Sequence, residues 1–198
     1  MTLTSDAAQV DRAGRRARGG PEANARLTAT TGVLLVLLLA VQGWTILSIT
    51  RRVEIHVFVG LLLTAPVCLK LASAAYRFVR YYTGAPAYRR QGPPPLARRL
   101  LGPLLIAATL AVFATGLTLG LTGGNTGSVP VLLLHKLAFV GWISLTSLHV
   151  LLNLPQLARL LNRPVPRAAR RWALIALALA VGTALGLAGE HLANAWRS

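Results

Sequence analysis

Five long apolar stretches dominate the chain. The first, Leu27 to Thr50, contains no charged residue. It is long enough to cross a hydrocarbon core of ~30 Å as a helix rising ~1.5 Å per residue. The second runs from Val53 to Ala75 and carries Glu54, His56 and Lys70. The third covers Leu100 to Leu121. The fourth covers Val131 to Leu154 and carries His135, Lys136 and His149, and the fifth covers Trp172 to Leu192. The breaks between them are rich in Arg, Pro and Gly. A backbone in lipid must pair its polar groups internally, so each stretch is expected to be a helix. The predicted fold class is therefore all-α: an integral membrane bundle of five transmembrane helices. The first stretch is too long for a cleavable signal peptide and follows a polar leader.

Composition agrees with this pattern. Hydrophobic residues make up 54% of the chain and charged residues 13%, against about 25% charged in soluble domains. A disordered chain is excluded and a soluble globule is disfavoured. The formal net charge is +16, which in a soluble protein would suggest nucleic acid. Its distribution argues otherwise. The leader holds Arg12, Arg15, Arg16, Arg18 and Arg26. The second connection holds Arg77, Arg80, Arg89, Arg90, Arg98 and Arg99, and the fourth holds Arg159, Arg163, Arg167, Arg170 and Arg171. The first connection has only Arg51 and Arg52, and the third (TGGNTGSVP) has none. Alternating basic connections predict a multi-pass protein of the cell membrane, with a cytoplasmic N-terminus and an extracytoplasmic C-terminus. The expected charge partner is anionic lipid, not nucleic acid. Residues 1–26 read as a disordered basic cytoplasmic tail, 27–192 as the membrane domain and 193–198 as a short extracytoplasmic tail. The single cysteine, Cys68, excludes an internal disulfide and multi-cysteine metal sites.

The candidate chemistry lies in the histidines. Ionisable groups at membrane depth are costly and commonly functional. His135 and His149 are 14 residues apart on one helix. At about 100° and ~1.5 Å per residue they leave nearly one face, about 21 Å apart along the axis. The second and fourth stretches run in the same direction. His56 and His135 both lie near the start of their stretches, so they are expected at one depth on neighbouring helices. Two such imidazoles suit the axial positions of a haem held between helices. Gly60, one turn after His56, is expected to leave room for a porphyrin edge. Phe139 and Trp142 are expected to form aromatic walls beside His135. Fourteen residues beyond His56 stands Lys70, at the depth of His149. Two readings stay open here: a second haem held by His149 and Lys70, or a Lys70 that snorkels to the cytoplasmic interface.

The stretches IHVFVGLLLTAPVCLKLASAAYRFVRYYTG (55–84) and LHKLAFVGWISLTSLHVLLNL (134–154) resemble membrane b-type cytochromes of the broad cytochrome b561 and hydrogenase-cytochrome-b group. More loosely, they resemble actinobacterial membrane subunits of oxidoreductases. The resemblance implies haem b between helices and an electron-transfer role beside a separate redox subunit. It also implies exchange with quinone or an inner haem. The departure from a symmetrical two-haem pattern is Lys70.

Two other classes stand beside this reading. One is a cofactor-free membrane scaffold or transporter. It is weakened as a proton-coupled transporter because no Asp or Glu occurs between Glu54 and Glu190. The other is an outer-face metal site built from His56, His135 and His191. No phosphate-cradling or dinucleotide-binding motif occurs, so any such domain is expected on another polypeptide.

Overall fold

The computed structural model describes residues 3–93, 95–122, 130–161 and 168–194. Among these residues every regular element is a helix: α1 (Leu3–Ile46), α2 (Ile49–Tyr82), α3 (Pro86–Arg89), α4 (Leu96–Thr122), α5 (Val131–Leu161), α6 (Ala168–Ala188) and α7 (His191–Asn194). Five segments are long and apolar enough to cross a membrane: Gly20–Ile46, Ile49–Tyr82, Leu96–Thr122, Val131–Ala158 and Ala169–Asn194. Their outward faces carry large apolar side chains such as Leu37, Leu110 and Leu151, each more than half exposed. Such a surface is costly in water and natural against lipid. The chain thus has the build of a multi-pass membrane protein. The third and fourth connections, at 123–129 and 162–167, and the chain end at 195–198 lie outside the described residues.

Two boundaries differ from those read in the sequence. The segment expected as a disordered tail is helical from Leu3. From Gly20 onward its side chains dock on α2. The Asn24 amide donates to the Ser73 carbonyl at 2.9 Å, and the Thr28 and Ser73 hydroxyls share a hydrogen bond of 2.6 Å. Hydropathy does not register these polar ties. The second difference is at Thr50, Arg51 and Arg52, which belong to α2. The turn between α1 and α2 is only Leu47 and Ser48, closed by Ser48 N–H to the Thr45 carbonyl at 3.3 Å. Arg52 breaks the helical geometry (φ −124°, ψ 17°). Its guanidinium stacks 3.9 Å above the Trp44 ring and donates to the Trp44 carbonyl at 3.2 Å. The charge is thereby folded back along α1.

At its other end α2 closes in a Schellman turn. Ala85 N–H bonds the Arg80 carbonyl at 3.1 Å and Gly84 N–H bonds the Tyr81 carbonyl at 3.2 Å. Gly84 takes φ +82°, which only glycine adopts without strain. The short α3 then tucks Tyr88 edge-on against Tyr76, with ring centroids 6.1 Å apart.

The helices form two unequal groups. In the first, α2 packs along both α1 and α6. Leu35, Val59 and Leu63 are its buried centre, joined by Phe58 and Val67. Two glycines of α6 and one just beyond it let α2 approach closely. A methyl group on Gly182 would collide with the Leu62 carbonyl, one on Gly186 with the Phe58 ring, and one on Gly189 with the Leu61 side chain. This is small-residue helix packing. The second group is the α4–α5 hairpin. Its helices pack on each other but have no extended backbone packing on α2. No residue of the apolar stretch of α5 is buried. Phe113 of α4 reaches the core of the first group.

Candidate functional site

His56 on α2 and His135 on α5 come from these two groups, and the fold brings them within electrostatic reach of each other. Both rings are half-buried. Each is held by a threonine. Thr45 Oγ1 lies 2.8 Å from His56 Nδ1 and 2.6 Å from the Gln42 carbonyl. Thr115 Oγ1 lies 2.9 Å from His135 Nδ1 and 2.7 Å from the Ala111 carbonyl. A carbonyl only accepts, so each threonine hydroxyl spends its one proton on its own helix. The imidazole must then be the donor, through Nδ1–H. The threonine contacts thus favour, at both histidines, the tautomer whose lone pair is on Nε2. This is the form in which histidine ligates a metal, its other nitrogen fixed by a hydrogen bond.

The Gln42 amide nitrogen lies 3.1 Å from His56 Nδ1 and 3.3 Å from Nε2, and donates to the His56 carbonyl at 3.1 Å. A group nearly equidistant from the two ring nitrogens sits over the ring, off the line of either lone pair. Gln42 Oε1 is buried without a partner among the described residues.

The remaining expected site residues fall as follows. Gly60 faces α1: a methyl group there would stand 3.5 Å from the Gln42 amide nitrogen. The room expected at Gly60 for a porphyrin edge is therefore turned to Gln42. The corresponding space beside His135 is made by Gly116, where a methyl group would lie 3.1 Å from the ring's Cε1. Gly120 packs on Leu192, whereas Gly116 seats an imidazole. Trp142 is turned toward α4, with its indole N–H donating to Thr109 Oγ1 at 3.0 Å. Phe139 stays beside it, ring centroids 6.2 Å apart.

At the other level, Lys70 and His149 also feel each other's charge. Lys70 nevertheless extends to α1. Its Nζ is 3.4 Å from the Thr28 carbonyl and lies where a side chain on Gly32 would be. His149 is half-buried, and its carbonyl accepts from the Asn153 amide at 2.7 Å.

The three-histidine outer metal site is not assembled. Among the described residues no three His, Cys, Asp or Glu side chains converge for a metal ion. His191 is exposed and its Nδ1–H donates to the Ala188 carbonyl at 2.9 Å. A haem iron asks the protein for only two axial ligands, and His56 and His135 are of the right ligand type and stand on separate helices.

Gln42, Thr45 and Thr115 were not among the residues singled out from the sequence. Comparison with protein-family models, with curated proteins and with solved structures finds no match for this chain.

Proposed function

We propose that the chain is a haem b-binding electron-transfer protein of the cell membrane, with His56 and His135 as the axial ligands. The observation that carries this reading is the paired threonine contact. Two imidazoles from the two helix groups each set Nδ1 against a threonine hydroxyl whose proton is given to its own helix, which favours an Nε2 lone pair for a metal. When bound, the haem would supply reversible one-electron transfer at its iron.

The chain's own residues then have defined tasks. Thr45 and Thr115 hold the ring orientations, Gly116 makes room for the His135 imidazole, and the α4–α5 hairpin carries its ligand on a face distinct from the α1–α2–α6 core. The reading takes one haem, because Lys70 is engaged by α1. Quinone or a separate redox subunit is the proposed exchange partner. The Arg-rich ends of α1, α2 and α5 are proposed to face the cytoplasm, which puts His56 and His135 toward the opposite surface. The likeness of 55–84 and 134–154 to the cytochrome b561 and hydrogenase-cytochrome-b group favours the same reading.

The test is a reduced-minus-oxidised visible spectrum of the detergent-purified protein, with haem quantified per chain. The expected result is about one haem per chain, lost in both His56→Ala and His135→Ala and kept in His149→Ala. Protein from a haem-replete host that carries none would overturn the reading and leave the cofactor-free scaffold.

A further inference from the structure

Gln42 of α1 touches His56 of α2 at three atoms. Its amide nitrogen donates to the His56 carbonyl at 3.1 Å, and lies 3.1 Å from Nδ1 and 3.3 Å from Nε2 of the ring. A nitrogen at those two distances in the ring plane would collide with Cε1 between them, so the amide lies over the ring face. The carbonyl only accepts, which fixes nitrogen rather than oxygen at this place. The amide has two N–H groups. One serves the carbonyl and the other is left for the π-electrons of the ring. The same stretch of α1 also holds the ring edge. The Gln42 carbonyl accepts from Thr45 Oγ1 at 2.6 Å, and that oxygen stands 2.8 Å from His56 Nδ1. Arg52 of α2, donating to the Trp44 carbonyl at 3.2 Å, ties the two helix ends together beside them.

Stability gives no reason for an amide here. Gln42 Oε1 is buried without a partner among the described residues, and an orphaned buried acceptor is costly. The His56 carbonyl does not need the amide either. Inside α2 a helical carbonyl already accepts from the N–H four residues on, here that of Gly60. An apolar side chain of similar length would remove the orphaned oxygen and leave no group of α2 unpaired. What only the amide brings is the positive end of an N–H dipole over the imidazole.

We infer that Gln42 is a positioning residue for His56 that also draws electron density from its ring, raising the midpoint potential of a haem held there. The redox half rests on the haem reading of His56, whereas the effect on the ring does not. A positive dipole end over the ring weakens donation from the Nε2 lone pair. It also opposes the extra positive charge of oxidised iron. Both effects favour the reduced state, through a hydrogen-bonding group behind the ligand.

The experiment compares the wild-type full chain in detergent with Gln42→Met, which keeps the length and loses the amide. Gln156→Met serves as control, since that amide is engaged by Arg98 at 2.6 Å on α5. In the haem-free chain carrying isotope-labelled histidine, the ring-nitrogen resonances of His56, assigned by their loss in His56→Ala, are expected to shift in Gln42→Met. Those of His135 and His149 should stay. Thermal unfolding of Gln42→Met is expected no earlier than that of wild type. In the haem-loaded chain the midpoint potential is expected to fall in Gln42→Met and to stay in Gln156→Met. Unmoved His56 resonances would overturn the contact. Moved resonances with an unchanged or higher potential would overturn its redox effect, and earlier unfolding with an unchanged potential would make Gln42 a structural residue only. A chain that takes up no haem would overturn the haem reading and the redox half with it, while the His56 resonances still decide whether Gln42 acts on the ring.

Discussion

Thr115 stands 2.9 Å from His135 Nδ1 with its own hydroxyl proton already committed to the Ala111 carbonyl at 2.7 Å. The hydroxyl is therefore an acceptor toward the ring, and it decides which ring nitrogen is left bare. Valine at this position keeps the shape and removes the acceptor. Thr115→Val, and likewise Thr45→Val, is expected to loosen the haem by about tenfold to a hundredfold, the usual cost of a lost partner behind a metal-bound histidine. Haem retention during dilution reads this directly. A shift in the midpoint potential of whatever haem remains would separate the effect from simple misfolding. Full retention with an unchanged potential would show that the threonines do not position the ligands.

Gly116 offers a second handle on the same ring. A methyl group there would lie 3.1 Å from Cε1 of His135, tighter than ordinary contact, so the imidazole must move. Gly141 on α5 has nothing within 4 Å of an added methyl group. Gly116→Ala is expected to lower haem content or broaden the reduced band, and Gly141→Ala to change neither. Equal behaviour of the two variants would sink the idea that Gly116 serves the histidine.

Lys70 is the residue on which sequence and structure part most usefully. Its amine lies beside the Thr28 carbonyl and Gly32 of α1. Lys70→Met is expected to leave the haem-to-protein ratio unchanged. A variant with one haem fewer per chain would restore the ligating role.

Gly182 tests the helix pairing. Its absent side chain is replaced by the Leu62 carbonyl of α2, a backbone group that cannot swing aside. Gly182→Ala is expected to destabilise the α2–α6 pair by about 1–3 kcal/mol, the usual scale of overpacking. Gly102→Ala, with open space around it, should be near neutral. Thermal unfolding in detergent compares the two.

Tyr88 lies outside the spans and gives a pH signature. Burial, and next the neighbouring Tyr76, push its phenol above the ordinary value, against smaller opposing effects of Arg80 and Arg77. The folded value is the higher one. Its stabilising contribution is therefore complete below the ordinary phenol range of about 10 and is lost as pH rises through the folded value. Phenolate absorbance is expected to show a late phase from Tyr88 that is missing in Tyr88→Phe. The wild-type melting temperature should fall more steeply than that of the variant above about pH 10. A single phase with no late one would refute this.

The spans were legible because uncharged runs and arginine breaks are long-range features that no local packing can disguise. His56 and His135 were paired by counting alone, from their places near the starts of the second and fourth stretches. The threonines behind them were not. Thr45 and Thr115 sit on different helices from the rings they hold, and nothing in α1 or α4 alone marks them as partners. Gly60 was placed on the right helix face and assigned the wrong neighbour, because periodicity gives a face but not what lies opposite. The α6 glycines went unread for the same reason. Residues 20–26 were misread because a polar helix docked by amide and hydroxyl contacts carries no apolar period.

The contact between α6 and α2 also bears on how the chain is made. The helix that covers Phe58, Leu61 and Leu62 leaves the ribosome after the α4–α5 hairpin. Until Gly182, Gly186 and Gly189 arrive, that side of α2 has only lipid or an insertion factor to lie against. The α4–α5 hairpin, made in between, must enter the bilayer without occupying the vacant groove. The chain order therefore has His56 and His135 both made before that side of α2 is covered.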